Sequence, residues 1–351
     1  MKAGWQMKTL GDVCDKASSN VSQNQLGNEV GNYPIYGASG LIKNVSFYHR
    51  DKPYLSIVKD GSGVGRVTKM DAFTSVIGTL QYILPNEEVD LDYLNYSLMS
   101  VDFKKYVAGA AIPHIYFKDY KSEPFLWMPR PEQKRIVAIL DQAFEGIAKA
   151  LANAEQNLQN ARALFESYLQ SVFTQRGEGF EEQIFDEVLE IKNGKDQKPV
   201  EKAGGKYPIY GSAGNVMGWT DSYICNGQTT IIGRKGTINR PIFIETKFWN
   251  VDTAFGLAAK PNLNAKFLYF FCLSYDFSLH NRGTTIPSLV KTDLLNIKIS
   301  VPSLTIQEQL VEKFSALHKE TQCLEAIYQR KIKLLDELKK SLLQQAFAGE
   351  L

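Results

Sequence analysis

The residues best suited to chemistry lie in two glycine-rich basic loops. The first reads VKDGSGVGR from Val58 and offers Lys59, Ser62 and Arg66, with Lys69 just beyond it. The second reads IGRKGTINR from Ile232 and offers Arg234, Lys235, Thr237, Asn239 and Arg240. Ammonium, guanidinium and hydroxyl groups on a backbone that glycine lets approach closely suit hydrogen bonding to phosphate oxygens and base edges. A solvated β-turn with ordinary surface charge has the same composition, so both readings stay open at this point. A further polar loop, NRGTTIPS, carries Asn281, Arg282, Thr284 and Thr285, while its counterpart AGAAIPH is far less polar. Tyr36 and Tyr210 could contact phosphate or stack on a base.

Catalytic signatures are missing. There is no Pro-Pro dipeptide, which removes the [N/D]-P-P-[Y/F/W] motif of amino-methyltransferases, and no G-x-x-x-x-G-K-[S/T] phosphate loop. GSGVGR from Gly61 lacks the third glycine and the following helix of a dinucleotide site. The four histidines stand in no familiar catalytic order, and Cys14, Cys225, Cys272 and Cys323 are too far apart to suggest a zinc site. The expectation is a chain that binds rather than catalyses, with no metal or cofactor of its own. Free thiols fit a reducing compartment, MKAGWQMKTLGD has no signal-peptide core, and FLYFFCL from Phe267 is too short to span a bilayer. A cytoplasmic protein without membrane contact is expected. The net charge of +2 neither demands nor excludes a nucleic-acid partner, because phosphate affinity depends on local basic stripes.

The elements that carry these loops occur twice. YPIYGASG from Tyr33 returns as YPIYGSAG from Tyr207, an offset of 174 residues. The same offset places Ile112-Pro113 on Ile286-Pro287, Asp102-Phe103 on Asp276-Phe277, Leu94 on Leu268, Phe173 on Phe347, and, after a one-residue slip inside the loops, Arg66 on Arg240. So long a period marks a domain-plus-connector unit used twice. In the octapeptide, Gly37 and Gly211 are expected in a tight turn, and Tyr33 and Tyr207 in the core; an element kept in both halves serves the scaffold.

Residues 1–130 and 177–303 read as α+β domains, with short strand-like runs (YLSIV, TTIIG, PIFIE) and one helical segment each, LDYLNYSLMSVDFKKYV and AKFLYFFCLSYDFSL. Residues 131–176 and 304–351 read instead as long helices with one apolar stripe. The first stripe is Ile136, Leu140, Ala143, Ile147, Ala150, Ala154, Leu158, Ala161, Leu164, Tyr168 and Val172. The second is Leu310, Phe314, Leu317, Thr321, Leu324, Tyr328, Ile332, Leu335, Leu338, Leu342 and Ala346. A helix of about 40 residues is roughly 60 Å long and needs a partner, and the nearest partner is the other copy. The predicted fold is two pseudo-symmetric globular α+β domains separated by two long helices in an antiparallel coiled coil.

Each half closes with a similar passage, GAAIPHIYFKDYKSEPFLWMPRPEQKRIVAILD or GTTIPSLVKTDLLNIKISVPSLTIQEQLVEKF, and the chain ends LLQQAFAGEL. Together these resemble the specificity subunit of type I restriction-modification systems along essentially the whole chain. One departure is MPRPEQ, which is shorter than VPSLTIQEQ. The resemblance implies that each globular half is a target recognition domain reading one half of a split, asymmetric site in double-stranded DNA, with the helices fixing the gap. It also implies partners: two methyltransferase subunits bringing S-adenosylmethionine and adenine methylation, and restriction subunits bringing ATP, Mg and cleavage. A non-catalytic adaptor spacing two protein partners is the alternative that the residues by themselves leave open.

Overall fold

The structure, a computed structural model, describes residues 4–109, 111–174 and 179–351. The expected domain limit at 176/177 falls outside the described residues. The chain divides into two compact units, residues 1–154 with 330–351, and residues 155–329. The division cuts both long helices, so each unit takes part of each.

Unit 1 contains β1 (Gln6–Thr9), α1 (Leu10–Val13), β2 (Cys14–Ser18), β3 (Tyr33–Gly37), β4 (Gly40–Val45), β5 (Tyr54–Val58), β6 (Val67–Met70), β7 (Ser75–Val76), β8 (Leu80–Pro85), α2 (Leu91–Ser100), α3 (Phe117–Tyr120), β9 (Pro124–Trp127) and the first part of α4 (Arg130–Phe173). Unit 2 holds the rest of α4, then β10 (Phe180–Ile184), α5 (Phe185–Val188), β11 (Leu189–Asn193), β12 (Tyr207–Tyr210), β13 (Val216–Thr220), β14 (Thr229–Gly233), β15 (Ile242–Ile244), β16 (Trp249–Asn250), β17 (Ala254–Ala259), α6 (Ala265–Ser274), α7 (Lys291–Leu294), β18 (Lys298–Pro302) and the start of α8 (Leu304–Ala348). The sheet orders are β1-β9, β2-β8-β5-β6 and β4-β3-β7 in unit 1; in unit 2 they are β10-β18, β11-β17-β14-β15 and β13-β12-β16, strand for strand the same. Among the described strands, only β3–β7 and β12–β16 pair in parallel.

The same chemistry builds both copies. Asp90 caps α2 by accepting from the amides of Asp92 and Tyr93 at 3.0 and 3.3 Å, and Asn264 caps α6 through Lys266 and Phe267 at 2.9 and 3.2 Å. The segments expected to be helical over 91–107 and 265–279 break after Ser100 and Ser274. Asp102 and Asp276 there accept from the amides of Lys104 and Ser278, starting a separate 3-10 turn. The buried side chains of the octapeptide are Ile35 and Ile209, both 0% exposed, with Gly37 and Gly211 buried beside them. Tyr33 and Tyr207, expected in the core, are only half-buried and pack edge-on against the exposed Tyr48 and Tyr223 at 4.8 and 5.2 Å. Gly37 ends strand β3 and pairs with Gly40 across a two-residue turn, and the Gly214 amide donates to the Gly211 carbonyl at 3.0 Å, so both glycines open the expected turns. The left-handed position there falls to Gly40, with φ +112°, and in the second copy to Gly214 rather than Gly211, with φ +76°.

Within unit 1, Ile136 and Leu140 of α4 share a core with Leu343 and Ala346 of α8. Within unit 2, Phe165, Leu169, Val172 and Phe173 of α4 share one with Phe314 of α8, and Arg162 pairs with Glu325 at 3.2 Å. In each unit, then, one end of α4 meets the opposite end of α8, the antiparallel pairing expected from the stripes. Three stripe positions are corrected. Leu164, Leu324 and Leu338 are 65%, 41% and 47% exposed, and the seam runs instead through their neighbours Phe165, Glu325 and Lys339, the last with its ammonium 5.0 Å from the Phe144 ring. Steps of three and four admit either neighbour, and the larger ring or longer stem takes the inward place.

A buried glutamine fastens each helix start. Gln133, 0% exposed, donates to the carbonyls of Met128 and Glu88 at 2.7 and 3.0 Å and accepts from the Asp90 amide at 2.7 Å. Gln307, also 0% exposed, does the same with Pro302, Asn262 and Asn264 at 2.8, 3.1 and 2.7 Å. The equivalence is therefore Gln133 with Gln307 at the unbroken offset, and the apparent shortening of MPRPEQ disappears. The Glu-Gln pairs do not correspond.

His318 of α8 lies against Phe165, ring centroids 4.9 Å apart, with Nδ1 buried and without a partner among the described residues and Nε2 2.9 Å from Gln322. Burial pushes its pKa below 6.5, partly opposed by Glu325. The neutral ring is thus the form the fold accepts, and its contribution to stability is present above about pH 6.5 and lost as pH falls through the lowered value. We expect the melting temperature of the wild type to fall faster than that of His318→Phe between pH 7 and pH 5; parallel curves would show that this ring does not titrate on unfolding.

Candidate nucleic-acid interface

Buried strands deliver the two glycine loops. Every residue of β5 and of β14 is buried, and each strand runs directly into its loop. In unit 1 the Gly61 amide donates to the Pro113 carbonyl at 2.8 Å, the Ile115 amide donates to the Lys59 carbonyl at 2.9 Å, and Asp60 bridges His114. In unit 2 the Gly236 amide donates to Pro287 at 2.9 Å, the Leu289 amide to Arg234 at 2.8 Å, and Lys235 bridges Ser288. The glycine loop and the Ile-Pro loop, about fifty residues apart in sequence, therefore form one joined rim in each domain. Gly109 and Gly283 permit it, since a Cβ there would lie 2.4 and 1.9 Å from the carbonyl oxygens of Ile112 and Ile286.

The backbone also locates the slip. Amides of Lys59 and Asp60 donate to Thr79 O at 3.0 and 3.3 Å, as those of Arg234 and Lys235 do to Thr253 O at 2.8 and 3.2 Å. Lys59 thus corresponds to Arg234, Asp60 to Lys235 and Gly61 to Gly236. One matching position is an anion in the first domain and a cation in the second. GSGVGR runs on into strand β6 and not into a helix.

The candidate side chains divide by what already holds them. Lys59 pairs with Asp60 at 3.0 Å, Lys69 lies on β6 and pairs with Asp92 of α2, and the Arg66 guanidinium donates to the Ala38 carbonyl, which ties the glycine loop to the octapeptide hairpin. Arg234 donates to Asp252 O at 3.3 Å. Asn239 is used on both sides, donating to Asp276 at 2.6 Å and accepting from the Phe277 amide at 2.7 Å. Hydrogen bonds from Ser278 and Asn239 hold the Asp276 carboxyl below the usual carboxylate range. Asn281 staples its own loop by accepting from the amides of Gly283 and Ser288 at 2.9 and 2.8 Å. Arg282 pairs with Asp293 at 2.8 Å and holds that carboxyl low as well. Exposed and without a side-chain hydrogen bond or ion pair among the described residues are Ser62, Lys235, Thr237, Arg240 and Thr284. Tyr36 and Tyr210 are half-buried over the hairpins, Tyr210 edge-on to Phe248 at 5.6 Å.

Sequence reasoning missed Asp60 and His114 as rim residues. A single acid in a basic loop does not stand out as a binding group, and the bridge to His114 has no local sequence signal. Among the described residues no group of His, Cys, Asp and Glu could hold a metal ion, and no helix is long and apolar enough to cross a membrane.

Two α+β domains of identical topology, each fastened by a buried glutamine to a long helix, define the class of fold. A solved chain described in terms of complex assembly and conformational transition of the type I R-M system shares it, with a TM-score of 0.81 at 15% identity over 100% of this chain and 99% of that one. The HsdS subunit from Thermoanaerobacter tengcongensis gives a TM-score of 0.60 at 15% identity over 100% and 98%. The family described as type I restriction modification DNA specificity domain matches residues 2–157 and again 177–334, and the chain belongs to that family. A putative type I restriction enzyme specificity subunit from Haemophilus influenzae is 28% identical over 167 residues, which is 46% of this chain and 41% of that protein. A putative type I specificity subunit from Mycoplasma pneumoniae is 26% identical over 141 residues, 38% of this chain and 46% of that protein. The matched stretch thus spans less than half the length of either curated relative.

Proposed function

We propose that this chain is the non-catalytic DNA-recognition subunit of a type I restriction-modification complex. Each domain reads one half of a split, asymmetric duplex site through its joined rim, and the helical segments set the unread gap. Two methyltransferase subunits supply S-adenosylmethionine and adenine-N6 methylation, and restriction subunits supply ATP- and Mg-dependent cleavage. The observation that carries this reading is the contrast between an identical frame and different rims. Strand order, caps and glutamine clamps repeat, while Asp60, His114 and Ala108 of the first copy stand where the second has Lys235, Ser288 and Arg282, at matching bridges and backbone bonds. Two readers built this way accept different half-sites without a change of fold.

The test is DNA binding by the chain assembled with its modification subunit. Affinity should fall steeply with salt and favour one sequence over scrambled duplex by about a thousandfold or more. An adaptor that merely spaces proteins would show neither dependence, and that result would replace this reading.

A further inference from the structure

Unit 1 holds a second basic feature beside the rim, a cleft of about 640 Å³ between β2, the start of the glycine loop and α3. Four lysines line it, Lys16, Lys59, Lys118 and Lys121, against a single carboxylate, Asp15. Lys59 is balanced by Asp60 at 3.0 Å, but the other three have no carboxylate within 4 Å among the described residues. Lys118 leans over the ring of Tyr116, 5.3 Å from its centroid, and that ring is 48% exposed at the cleft. Gln81, 5% exposed, also lines the cleft; its Oε1 accepts from Tyr120 at 3.4 Å, and no protein acceptor engages its amide nitrogen among the described residues.

The second copy shows that the fold does not require this charge. Strand register sets Lys16, opposite Ile83, on Ile191, opposite Leu257, and Ile191 is 2% exposed. Helices α3 and α7 set Lys118 on Thr292 and Lys121 on Leu295, which packs against the core. Lys291, where the first copy has Phe117, spends its ammonium on the Ile191 carbonyl at 2.9 Å. The same scaffold thus forms with apolar or neutral groups at all three positions.

We infer that this cleft is a seat for the phosphate backbone of duplex DNA, present in the first domain and absent from the second, that anchors the chain without reading sequence. Unbalanced ammonium groups around one hollow repel one another until an anion enters, and a duplex offers about one phosphate charge per 1.7 Å of axis. Lys59 makes the cleft continuous with the rim. The inference rests on the DNA-recognition reading and adds to it an asymmetry: the first domain holds, while the second relies on its rim.

The test is the salt dependence of duplex binding by the full chain assembled with its modification subunit, wild type against Lys16→Gln/Lys118→Gln/Lys121→Gln. Each phosphate that is no longer neutralised lowers the slope of log affinity against log salt by about 0.9, so the triple variant should lose about 2.7 on cognate and scrambled duplex alike. The preferred sequence should be unchanged, and the corresponding Lys→Arg triple should restore the slope. All three lysines are exposed, and the melting temperature serves as the check on folding. A wild-type slope in the triple variant would overturn the seat while leaving DNA recognition intact. Weakened assembly with an unchanged slope would overturn it too, by assigning the cleft to an acidic protein face. A wild-type complex with no salt-dependent, selective binding would instead defeat the recognition reading itself.

Discussion

With one half-site read by each domain, as proposed, Asp60→Lys is expected to change the base accepted at one position of one half-site and to leave the other half-site untouched. Asp60 and Lys235 occupy the same place in the two rims, each with its amide on the Thr79 or Thr253 carbonyl and each bridged to the Ile-Pro loop. A carboxylate can only accept, which suits the exocyclic amino group of cytosine; an ammonium can only donate, which suits O6 and N7 of guanine. Exchanging one for the other inverts the hydrogen-bond demand at that place and keeps the backbone bonds of the frame, although Asp60→Lys also releases Lys59 from its ion pair. The expected discrimination is about 1–3 kcal/mol, or roughly 5- to 150-fold in relative affinity. Lys235→Asp should act reciprocally on the other half. Competition among duplexes carrying each base in turn at every specified position measures both effects, and an unchanged preference in both variants would remove these residues from readout.

The second large effect is on stability. Gln307→Ala removes three hydrogen bonds made by a fully buried side chain and strands the Asn264 amide together with the Asn262 and Pro302 carbonyls. The cost should be about 3 kcal/mol, mostly from buried backbone groups left without partners. Gln307→Glu keeps the acceptor for Asn264 but aims a carboxylate oxygen at two carbonyls, so at neutral pH it should be no better than alanine. Burial raises such a carboxyl's pKa, and the protonated acid donates again; the glutamate variant should therefore recover stability relative to alanine as pH falls. Denaturant unfolding at pH 7.5 and pH 5 measures this. A loss under about 0.5 kcal/mol in Gln307→Ala would mean that the clamp does not hold the helix start. Gln133→Ala should repeat the effect in unit 1.

The parts of the fold legible in the sequence were those with period or repetition. The octapeptide offset identified two copies, and apolar steps of three and four identified α4 and α8, because one buried helical face leaves such a trace. Those steps placed Leu164 in the stripe where the structure buries Phe165, since adjacent positions lie only about 100° apart and the pattern admits either. It also joined Leu91–Ser100 to the following 3-10 turn, because the caps at Asp102 and Asp276 compete with the helix through one local hydrogen bond each. The glycine loops were visible as polar and flexible. Their joining to the Ile-Pro loops was not, since bridges such as Asp60 to His114 depend on backbone groups common to every residue. Lys16, Lys118 and Lys121 carry no joint signal in the sequence for the same reason: only the chain path brings β2 and α3 to one cleft.

The most direct test of the central claim is a genome-wide map of methylated adenine in cells that express this chain with its modification subunit. The expected map shows one asymmetric motif in two specified parts separated by an unspecified gap of fixed length. An assembled complex that leaves no methylated motif, or one continuous motif without a gap, would contradict the assignment of one half-site to each domain.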